Sequence, residues 1–367
     1  MTDKKLKIGI IGCGDIANEK HMPSLKKLSD ICKMTAFCDI KIDRAQKAAE
    51  EFGVKNSNTY IDYQDLLKDD SIDIVHILTP NVSHSPIAIS AFKAGKHVMC
   101  EKPMAHNKEA AEKMMKAWER TDKKFTIGYQ NRFREEVREL KKRCKSGKLG
   151  EIYFAKAHAV RRRAVPTWGV FLKKDKQGGG ALIDIGSHAL DLTLWLMNNY
   201  KPASVCGSVF HKMKNKTEGN LFGSWKPANF EVEDSAFGFI KMENGATIFL
   251  ESAWVLNTSE PKEASTTLFG TKSGAEISSS LSRKQTELIY NYIEEGKYIE
   301  ERIENIKKEG PKIKEKKDLG YLEAESWLDS IINNNQPVVK PREAFIVTKI
   351  LDAIYKSDKN EKEIKLK

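Results

Sequence analysis

A glycine motif with the spacing of a dinucleotide-binding loop stands near the start of the chain. Gly12, Gly14 and Ala17 follow an apolar run that predicts a strand, and they open a segment of helical pattern. In that context the first glycine permits a tight turn and the second lets a pyrophosphate approach the backbone, while the helix N-terminus offers free N–H groups to the anion. The motif predicts a dinucleotide site, although a glycine turn without a ligand has the same pattern.

An acidic residue at the end of the second predicted strand strengthens this interpretation. Asp39 lies 25 positions after Gly14, and a carboxylate about 20 residues beyond such a motif binds the ribose hydroxyls of the adenosine. The carboxylate would repel a 2′-phosphate, so NAD is favoured, while Lys41 and Arg44 keep NADP open. In the alternative without a ligand, Asp39 caps the next helix. The predicted cofactor contacts around this loop are Gly12, Cys13, Gly14, Asp15, Ile16, Asp39, Ile40 and Arg44.

Two later strands end in polar residues. In a doubly wound sheet, ligands bind at the carboxyl ends of the strands near the switch in strand order, so these residues are placed for the nicotinamide half of the cofactor. Lys102 precedes Pro103, which biases the lysine toward an extended backbone. On residue type alone, Lys102 is equally an ordinary surface lysine and His84 a structural helix-start histidine. The predicted contacts in this region are Thr79, Pro80, Asn81, His84, Glu101 and Lys102.

A third group of polar residues lies on an apolar helix that follows Gly178–Gly180. Asp184, His188 and Asp191 recur at i, i+4 and i+7 and therefore fall on one predicted helix face. Burying such a stripe without partners is costly, so it is either hydrogen-bonded internally or faces a site. A carboxylate one turn from an imidazole fixes its tautomer and raises its basicity, which suits proton abstraction. No metal site is predicted, because the helix lacks a ligand signature such as HExxH.

Aromatic and basic residues near these groups are candidates for substrate recognition. Indole rings stack on sugar faces, and guanidinium groups bind hydroxyls or carboxylates through several donors. The alternative for each arginine is a solvated position on the surface. The predicted substrate contacts are Tyr129, Arg132, Arg162, Trp168, Asp184 and His188.

The elements that position these residues fall into two domains. Residues 1–125 alternate short β-branched runs with amphipathic segments, which predicts βαβ units and a doubly wound parallel sheet of Rossmann type. Residues 126–367 contain alternating strands separated by turns such as Glu243–Gly245, which predicts an α+β domain with antiparallel hairpins. A final helix at about 342–356 is compatible with packing back toward the first domain.

Composition excludes several classes of protein. The chain has 367 residues, with 40% hydrophobic and 31% charged residues, which predicts a globular protein of two domains. Its net charge of +11 comes from dispersed lysines mixed with acids, so neither a nucleic acid nor a membrane is an expected partner. No apolar run approaches the roughly 18 residues of a membrane span. The six scattered cysteines suit reduced thiols and a cytoplasmic location.

Taken together, the ordered motifs GCGDIA, Asp39, TPN with His84, EKP and DIGSH resemble the Gfo/Idh/MocA family of glucose-fructose oxidoreductase and inositol dehydrogenase. The resemblance implies an α/β protein whose second domain has a large, mostly antiparallel sheet with one open face, through which such proteins form homodimers or homotetramers. It implies hydride transfer between NAD(P) and a secondary alcohol or ketone of a sugar, cyclitol or derivative. The family's catalytic residues correspond to Lys102, Asp184 and His188.

Three functions remain compatible with the resemblance. The first is a dehydrogenase in which either His188 or Lys102 accepts the hydroxyl proton while the other donates to the substrate oxygen. The second is a glycoside hydrolase that uses NAD transiently, and the third is a non-catalytic sugar sensor. The residues that correspond to the family's catalytic set, Lys102, Asp184 and His188, are all present, which favours an enzyme over a sensor.

Overall fold

The computed structural model describes residues 5–280, 283–303 and 318–366, and the side chains of residues 280 and 283–286 lie outside that description. The chain divides into two compact units. One consists of Met1–Gln130 with Ile313–Phe345, and the other of Asn131–Lys312 with Ile346–Lys367.

Six parallel strands form the sheet of the first unit in the order β3-β2-β1-β4-β5-β6. This is the strand order of a Rossmann fold, and it confirms the doubly wound sheet predicted from the sequence. The central strands are buried almost throughout, as parallel strands covered on both faces must be. The strands are β1 (Leu6–Ile11), β2 (Cys32–Cys38), β3 (Asn58–Tyr60), β4 (Ile74–Ile77), β5 (His97–Cys100) and β6 (Phe125–Ile127).

The helices between these strands include one with an unusual first turn. After the glycine loop the chain forms a π-helical turn, Ala17–His21, which continues into α1. The helical sequence pattern of Pro86–Ala94 belongs to a helix that begins earlier, at Asn81, so that His84 lies inside the helix and not at its start. The helices are α1 (Met22–Lys27), α2 (Ile42–Phe52), α3 (Tyr63–Leu67), α4 (Asn81–Lys93) and α5 (Lys108–Trp118).

The second unit is built on a mostly antiparallel sheet, as predicted. Eight of its strands run in the order β14-β13-β12-β11-β7-β10-β9-β8, and of their pairings only β7 with β10 is parallel. The strands are β7 (Ile152–Val160), β8 (Pro202–Phe210), β9 (Ser235–Met242), β10 (Thr247–Ala253), β11 (Lys262–Gly270), β12 (Ser273–Ser280), β13 (Arg283–Glu294) and β14 (Lys297–Ile303).

One face of this sheet is covered by helix. The alanines Ala155, Ala157 and Ala159 of β7 are fully buried and face the side on which a long apolar helix packs. That helix begins with a second π-helical turn, Leu182–Gly186, and continues as α8. The helices of this part of the chain are α6 (Glu135–Lys145), α7 (Lys174–Gln177) and α8 (Ser187–Met197).

The last elements are shared between the units: α9 (Leu319–Ile332), α10 (Pro341–Asn360) and β15 (Ile364–Lys365), which pairs with β8. The sequence predicts a second domain that contains all of residues 126–367, whereas α9 belongs to the first unit. The physical reason is apolar packing, because Trp327 and Leu328 of α9 are buried in one core with Leu25 and Leu28.

Candidate active site

The two glycines of the dinucleotide motif have different surroundings. Gly12 has φ +94°, and a Cβ there would lie 2.6 Å from the carbonyl oxygen of Leu78, so only glycine fits this turn. A Cβ on Gly14 would meet nothing within 4 Å. The open side at Gly14 fits the close approach of a pyrophosphate, while Gly12 serves the turn itself.

Asp39 is tied to the glycine loop by its side chain. One carboxylate oxygen accepts the N–H of Cys13 at 2.9 Å, and the other accepts the N–H of Lys41 at 2.9 Å. Burial and the neighbouring charge of Asp39 raise the pKa of the Cys13 thiol to about 12, so it stays protonated. Ile40 is 87% exposed, an unusual position for an isoleucine. Asp15 and Ile16, which follow the two glycines, are exposed, as is Arg44 on α2.

His84 contacts two loops at the carboxyl edge of the sheet. Its ring nitrogens lie 2.8 Å from the carbonyl oxygen of Pro103 and 2.9 Å from that of Thr79, and the side chain is fully buried. Burial lowers the pKa of this imidazole, against the opposing effect of the two carbonyls. Both ring nitrogens therefore face protein groups, and the histidine positions the loops after β4 and β5.

The other residues predicted around the nicotinamide lie at the same ends of β4 and β5. Thr79 is half-buried and Pro80 exposed, whereas Asn81 is buried in the first turn of α4. Lys102 is half-buried and Glu101 is buried. The neighbouring strands β4 and β5 bring these residues to one sheet edge, as expected for parallel strands.

In the second unit, the helix that carries Asp184 and His188 is held by residues distant in sequence. Trp254, which is fully buried, donates its indole N–H to a carboxylate oxygen of Asp184 at 3.0 Å. The side-chain amide of Asn131 lies 3.2 Å from Nδ1 of His188. Asp184 and His188 are both half-buried. No local motif identifies Trp254, whereas Asn131 lies between the predicted substrate contacts Tyr129 and Arg132.

The third member of the predicted stripe has a different partner. Asp191 accepts two hydrogen bonds from the guanidinium of Arg132, at 3.0 and 2.6 Å, and both side chains are buried. Arg132 also lies over the Trp195 ring, 5.5 Å from its centroid. This buried bidentate pair stabilises the junction of helix and loop, which corresponds to the internally bonded alternative for Asp191.

The remaining substrate candidates differ in accessibility. Arg162 donates to the carbonyl oxygens of Thr258 and Ser259 at 2.7 and 3.0 Å, so it holds a loop. Tyr129 is fully buried. Trp168 is 42% exposed and packs edge-on against Phe222, which leaves ring surface for a ligand.

A buried acid accepts backbone N–H groups at the start of the helix that carries Asp184. Glu233 accepts the N–H groups of Gly180 and Leu182 at 2.7 and 3.0 Å, and the hydroxyl of Tyr355 at 2.8 Å. A Cβ on Gly180 would lie 2.1 Å from the carbonyl oxygen of Glu233, which explains the glycine there. Burial raises the pKa of Glu233, although its three donors oppose the shift.

Comparison with known proteins matches both units to one family. A model described as an oxidoreductase family with an NAD-binding Rossmann fold matches residues 6–129, and the C-terminal alpha/beta domain of the same family matches residues 141–366. The chain belongs to the Gfo/Idh/MocA oxidoreductase family. This confirms the resemblance and the enzyme class that the motifs indicate, with NAD as cofactor.

Several relatives of this Gfo/Idh/MocA oxidoreductase have known activities. D-glucoside 3-dehydrogenase of Escherichia coli is 36% identical over 277 residues, which cover 76% of this chain and 78% of that protein. Inositol 2-dehydrogenase of Salmonella paratyphi B is 30% identical over 202 residues, covering 54% of this chain and 57% of that protein, so the chain spans little over half of this relative.

The solved structures agree with the fold of the oxidoreductase. Levoglucosan dehydrogenase in complex with NADH and L-sorbose has a TM-score of 0.82 over 99% of both chains at 21% identity. This likeness shows the shared fold. Among the described residues, no helix is both long and apolar enough to span a bilayer.

Proposed function

We propose that this oxidoreductase is an NAD-dependent dehydrogenase of a secondary ring hydroxyl on a sugar, a glycoside or a cyclitol. The observation that carries the proposal is the 36% identity to a D-glucoside 3-dehydrogenase, which covers most of both chains. The space beside Gly14 and the buried carboxylate of Asp39 fit a dinucleotide whose adenosine ribose carries no 2′-phosphate.

The residues of this chain would hold the cofactor and move one proton. Gly12 to Ile16 would bind the pyrophosphate, and Asp39 the adenosine ribose, with Ile40 and Arg44 beside the adenine end. The residues after β4 and β5, Thr79 to Asn81 and Lys102, would line the nicotinamide end. Bound NAD supplies the hydride acceptor.

The proton is assigned to Lys102 from the orientation of His188. The amide nitrogen of Asn131 donates to Nδ1 of His188, which favours the neutral tautomer with its hydrogen on Nε2. In that form His188 donates to the substrate oxygen, Asp184 and Trp254 fix the helix position around it, and Lys102 accepts the hydroxyl proton. Trp168 offers ring surface for the substrate, whereas Arg132 and Arg162 support the surrounding loops.

Substitutions separate these roles. Lys102→Arg places a permanently charged donor at this position that cannot accept a proton, so we expect turnover to fall roughly 10²–10⁴-fold while NAD still binds. His188→Gln keeps a donor near the position of Nε2 and is expected to retain far more turnover than His188→Ala. Turnover preserved in Lys102→Arg, or equal losses in both His188 variants, would assign the proton to His188 instead.

A substrate panel tests the proposed activity directly. Glucosides, free sugars, inositols and sugar acids are each incubated with NAD or NADP, and the reduced nicotinamide is monitored. We expect reduction of NAD with at least one glycoside or cyclitol. Release of the aglycone without accumulation of reduced cofactor would indicate a glycosidase, and binding without any reaction would indicate a sensor.

We further propose a cytoplasmic enzyme that self-associates through the open face of its large sheet. All six cysteines are free thiols, as in a reducing compartment. The uncovered face carries aromatic residues on adjacent strands, with Phe239 of β9 opposite Phe249 of β10, and Phe239 is 43% exposed. An exposed aromatic patch of this kind favours association.

A further inference from the structure

Five titratable side chains form a buried cluster in the first unit. The ammonium of Lys20 lies 2.7 Å from Oε1 of Glu101 and 2.9 Å from Oε2 of Glu323. Nε2 of His21 lies 2.9 Å from the same Glu101 oxygen, and Nδ1 of His76 lies 3.4 Å from Nδ1 of His21. The cluster joins the π-helical turn after the glycine loop to β4, β5 and α9.

The titratable groups of the cluster differ in the direction in which their pKa values are shifted. Burial acts to raise the pKa of Glu101, but the Lys20 ammonium and the hydrogen bond from His21 hold it well below its usual range. Burial, supported by the charge of Glu101, raises the pKa of Glu323 to about 7, against the effect of Lys20. Burial lowers the pKa of both histidines. Glu101 is therefore the permanently charged acid of the cluster.

Glu101 also contacts the backbone of its neighbour. Its second oxygen, Oε2, accepts the peptide N–H of Lys102 at 2.9 Å. The carboxylate fits against Gly128, where a Cβ would lie 3.1 Å from its carbon and both oxygens. One carboxylate thus links the Lys102 peptide to Lys20 and His21, which directly follow the glycine loop.

We propose that Glu101 is a positioning residue for Lys102. Lys20 and His21 hold the Glu101 carboxylate, and the carboxylate fixes the position of Lys102 relative to the helix after the glycine loop, which would bind the dinucleotide. The inference rests on the proposed role of Lys102 in the reaction. It differs from the sequence prediction, in which Glu101 contacts the cofactor, because its carboxylate is buried and occupied by three protein donors.

Two matched substitutions test the proposal. Glu101→Gln and Glu323→Gln each remove one acid and leave Lys20 with one carboxylate partner. Only in Glu101→Gln must an amide NH₂ face either Lys20 or the Lys102 N–H, both of which are donors. We expect Glu101→Gln to lower kcat by at least about tenfold, since a small misplacement of a catalytic group has large effects, with the Kd for NAD within about threefold.

Glu323→Gln provides the control, with kcat and Kd both expected within about threefold of the parent enzyme. Folding of each variant is checked by circular dichroism. A kcat for folded Glu101→Gln within threefold of the parent, or an equal loss in Glu323→Gln, would overturn the proposal.

A second variant displaces the carboxylate without changing any hydrogen-bonding group. Gly128→Ala presses a methyl group against Glu101, and we expect a loss in kcat of about three- to tenfold with unchanged NAD affinity. An unchanged kcat in Gly128→Ala contradicts the inference even if Glu101→Gln does not fold.

Lys102→Ala separates this inference from the proposed function. Full turnover in Lys102→Ala would defeat the role of Lys102 itself. Loss of turnover in Lys102→Ala, combined with normal turnover in Glu101→Gln and Gly128→Ala, would defeat only the positioning role of Glu101.

Discussion

The Asp39 carboxylate serves the fold and the proposed cofactor site at the same time. Each of its oxygens accepts one backbone N–H, from Cys13 or Lys41, and a carboxylate oxygen has a second lone pair for another donor. The two backbone bonds fix the carboxylate beside the glycine loop, where the ribose of a dinucleotide lies in this fold. Helix support and ribose binding are thus compatible uses of one side chain.

Asp39→Asn tests the ribose assignment. The amide has one acceptor oxygen instead of two, so either a backbone N–H of the loop or a ribose hydroxyl loses its acceptor. We expect the Kd for NAD to rise about tenfold, or about 1.4 kcal/mol. Removing the negative charge also reduces repulsion of a 2′-phosphate, so the preference for NAD over NADP is expected to narrow. Isothermal titration calorimetry with NAD and with NADP measures the ratio of the two affinities.

The exposed Asp43 in the first turn of α2 supplies the control for that measurement. Asp43→Asn changes the net charge by the same amount near the same helix, and we expect both affinities to stay within about twofold. An unchanged NAD to NADP ratio in Asp39→Asn, or an equal change in Asp43→Asn, would show that Asp39 does not bind the ribose.

At the scale of elements, both helices that carry the candidate site begin with a π-helical turn. One follows the glycine loop at Ala17–His21, and the other is Leu182–Gly186 around Asp184. Such turns are frequent at functional sites and alter the regular 3.6-residue spacing. They place Lys20 and His21 against Glu101, and Asp184 against Trp254.

The docking of α9 on the first unit gives a prediction for stability against pH. Glu323 has an ordinary pKa of 4.5, raised to about 7 in the folded protein. Between these values the folded state keeps a proton that the unfolded state has lost, so this group makes stability fall as pH rises through that window. Glu323→Gln removes this titrating group. As pH rises through the window, we therefore expect the free energy of unfolding of the variant to increase relative to that of the parent by up to a few kcal/mol.

Thermal unfolding midpoints measured from about pH 5 to about pH 8 check this expectation. The difference between variant and parent should grow across the range and level off above neutrality. Glu325→Gln removes an acid at a half-exposed position of the same helix and serves as the control. A constant difference in Glu323→Gln would contradict the titration of Glu323 in this window.

Sequence patterns predict the elements whose burial is regular. The apolar run His97–Cys100 and the alternating run Ile152–Val160 each predict a strand with these bounds. Both are strands with the same bounds in the structure, because their residues match the faces that they bury. The strands β11, β12 and β14 lie outside the predictions, since Lys, Glu, Ser and Thr fill many of their positions and neighbouring strands determine their pairing.

The candidate site shows the same limit. Glycine and EKP motifs are local, so sequence finds them. The contacts of His188 with Asn131 and of Asp184 with Trp254 join residues 57 and 70 positions apart, and residue type alone does not reveal them. For the same reason the sequence could not separate Arg132 and Arg162, which bind protein groups, from arginines that bind a ligand.

At the scale of the whole molecule, the proposed self-association through the open sheet face gives a prediction. Phe239→Glu places a charge in the centre of the aromatic patch, where burial in an interface would be costly, so we expect the mass to fall to that of a single chain. Light scattering after size-exclusion chromatography measures it. Leu221→Glu, at a 66% exposed loop position outside the sheet, is the control and should leave the mass unchanged.

An unchanged oligomer in Phe239→Glu would exclude this face as the interface. A parent enzyme that is a single chain at assay concentration would remove the proposed self-association altogether. Enzyme activity measured on the same samples then shows whether turnover requires assembly.

The late position of α9 and α10 in the chain affects how the protein is made. Lys20 near the N-terminus pairs with Glu323, and the acid that closes the start of the Asp184 helix is held by Tyr355. A nascent chain on the ribosome lacks these partners until residues 323 and 355 have been synthesised. Lys20 and the start of the Asp184 helix therefore remain incomplete during synthesis, and the apolar surface around Leu25 and Leu28 stays open to chaperones and proteases until α9 emerges.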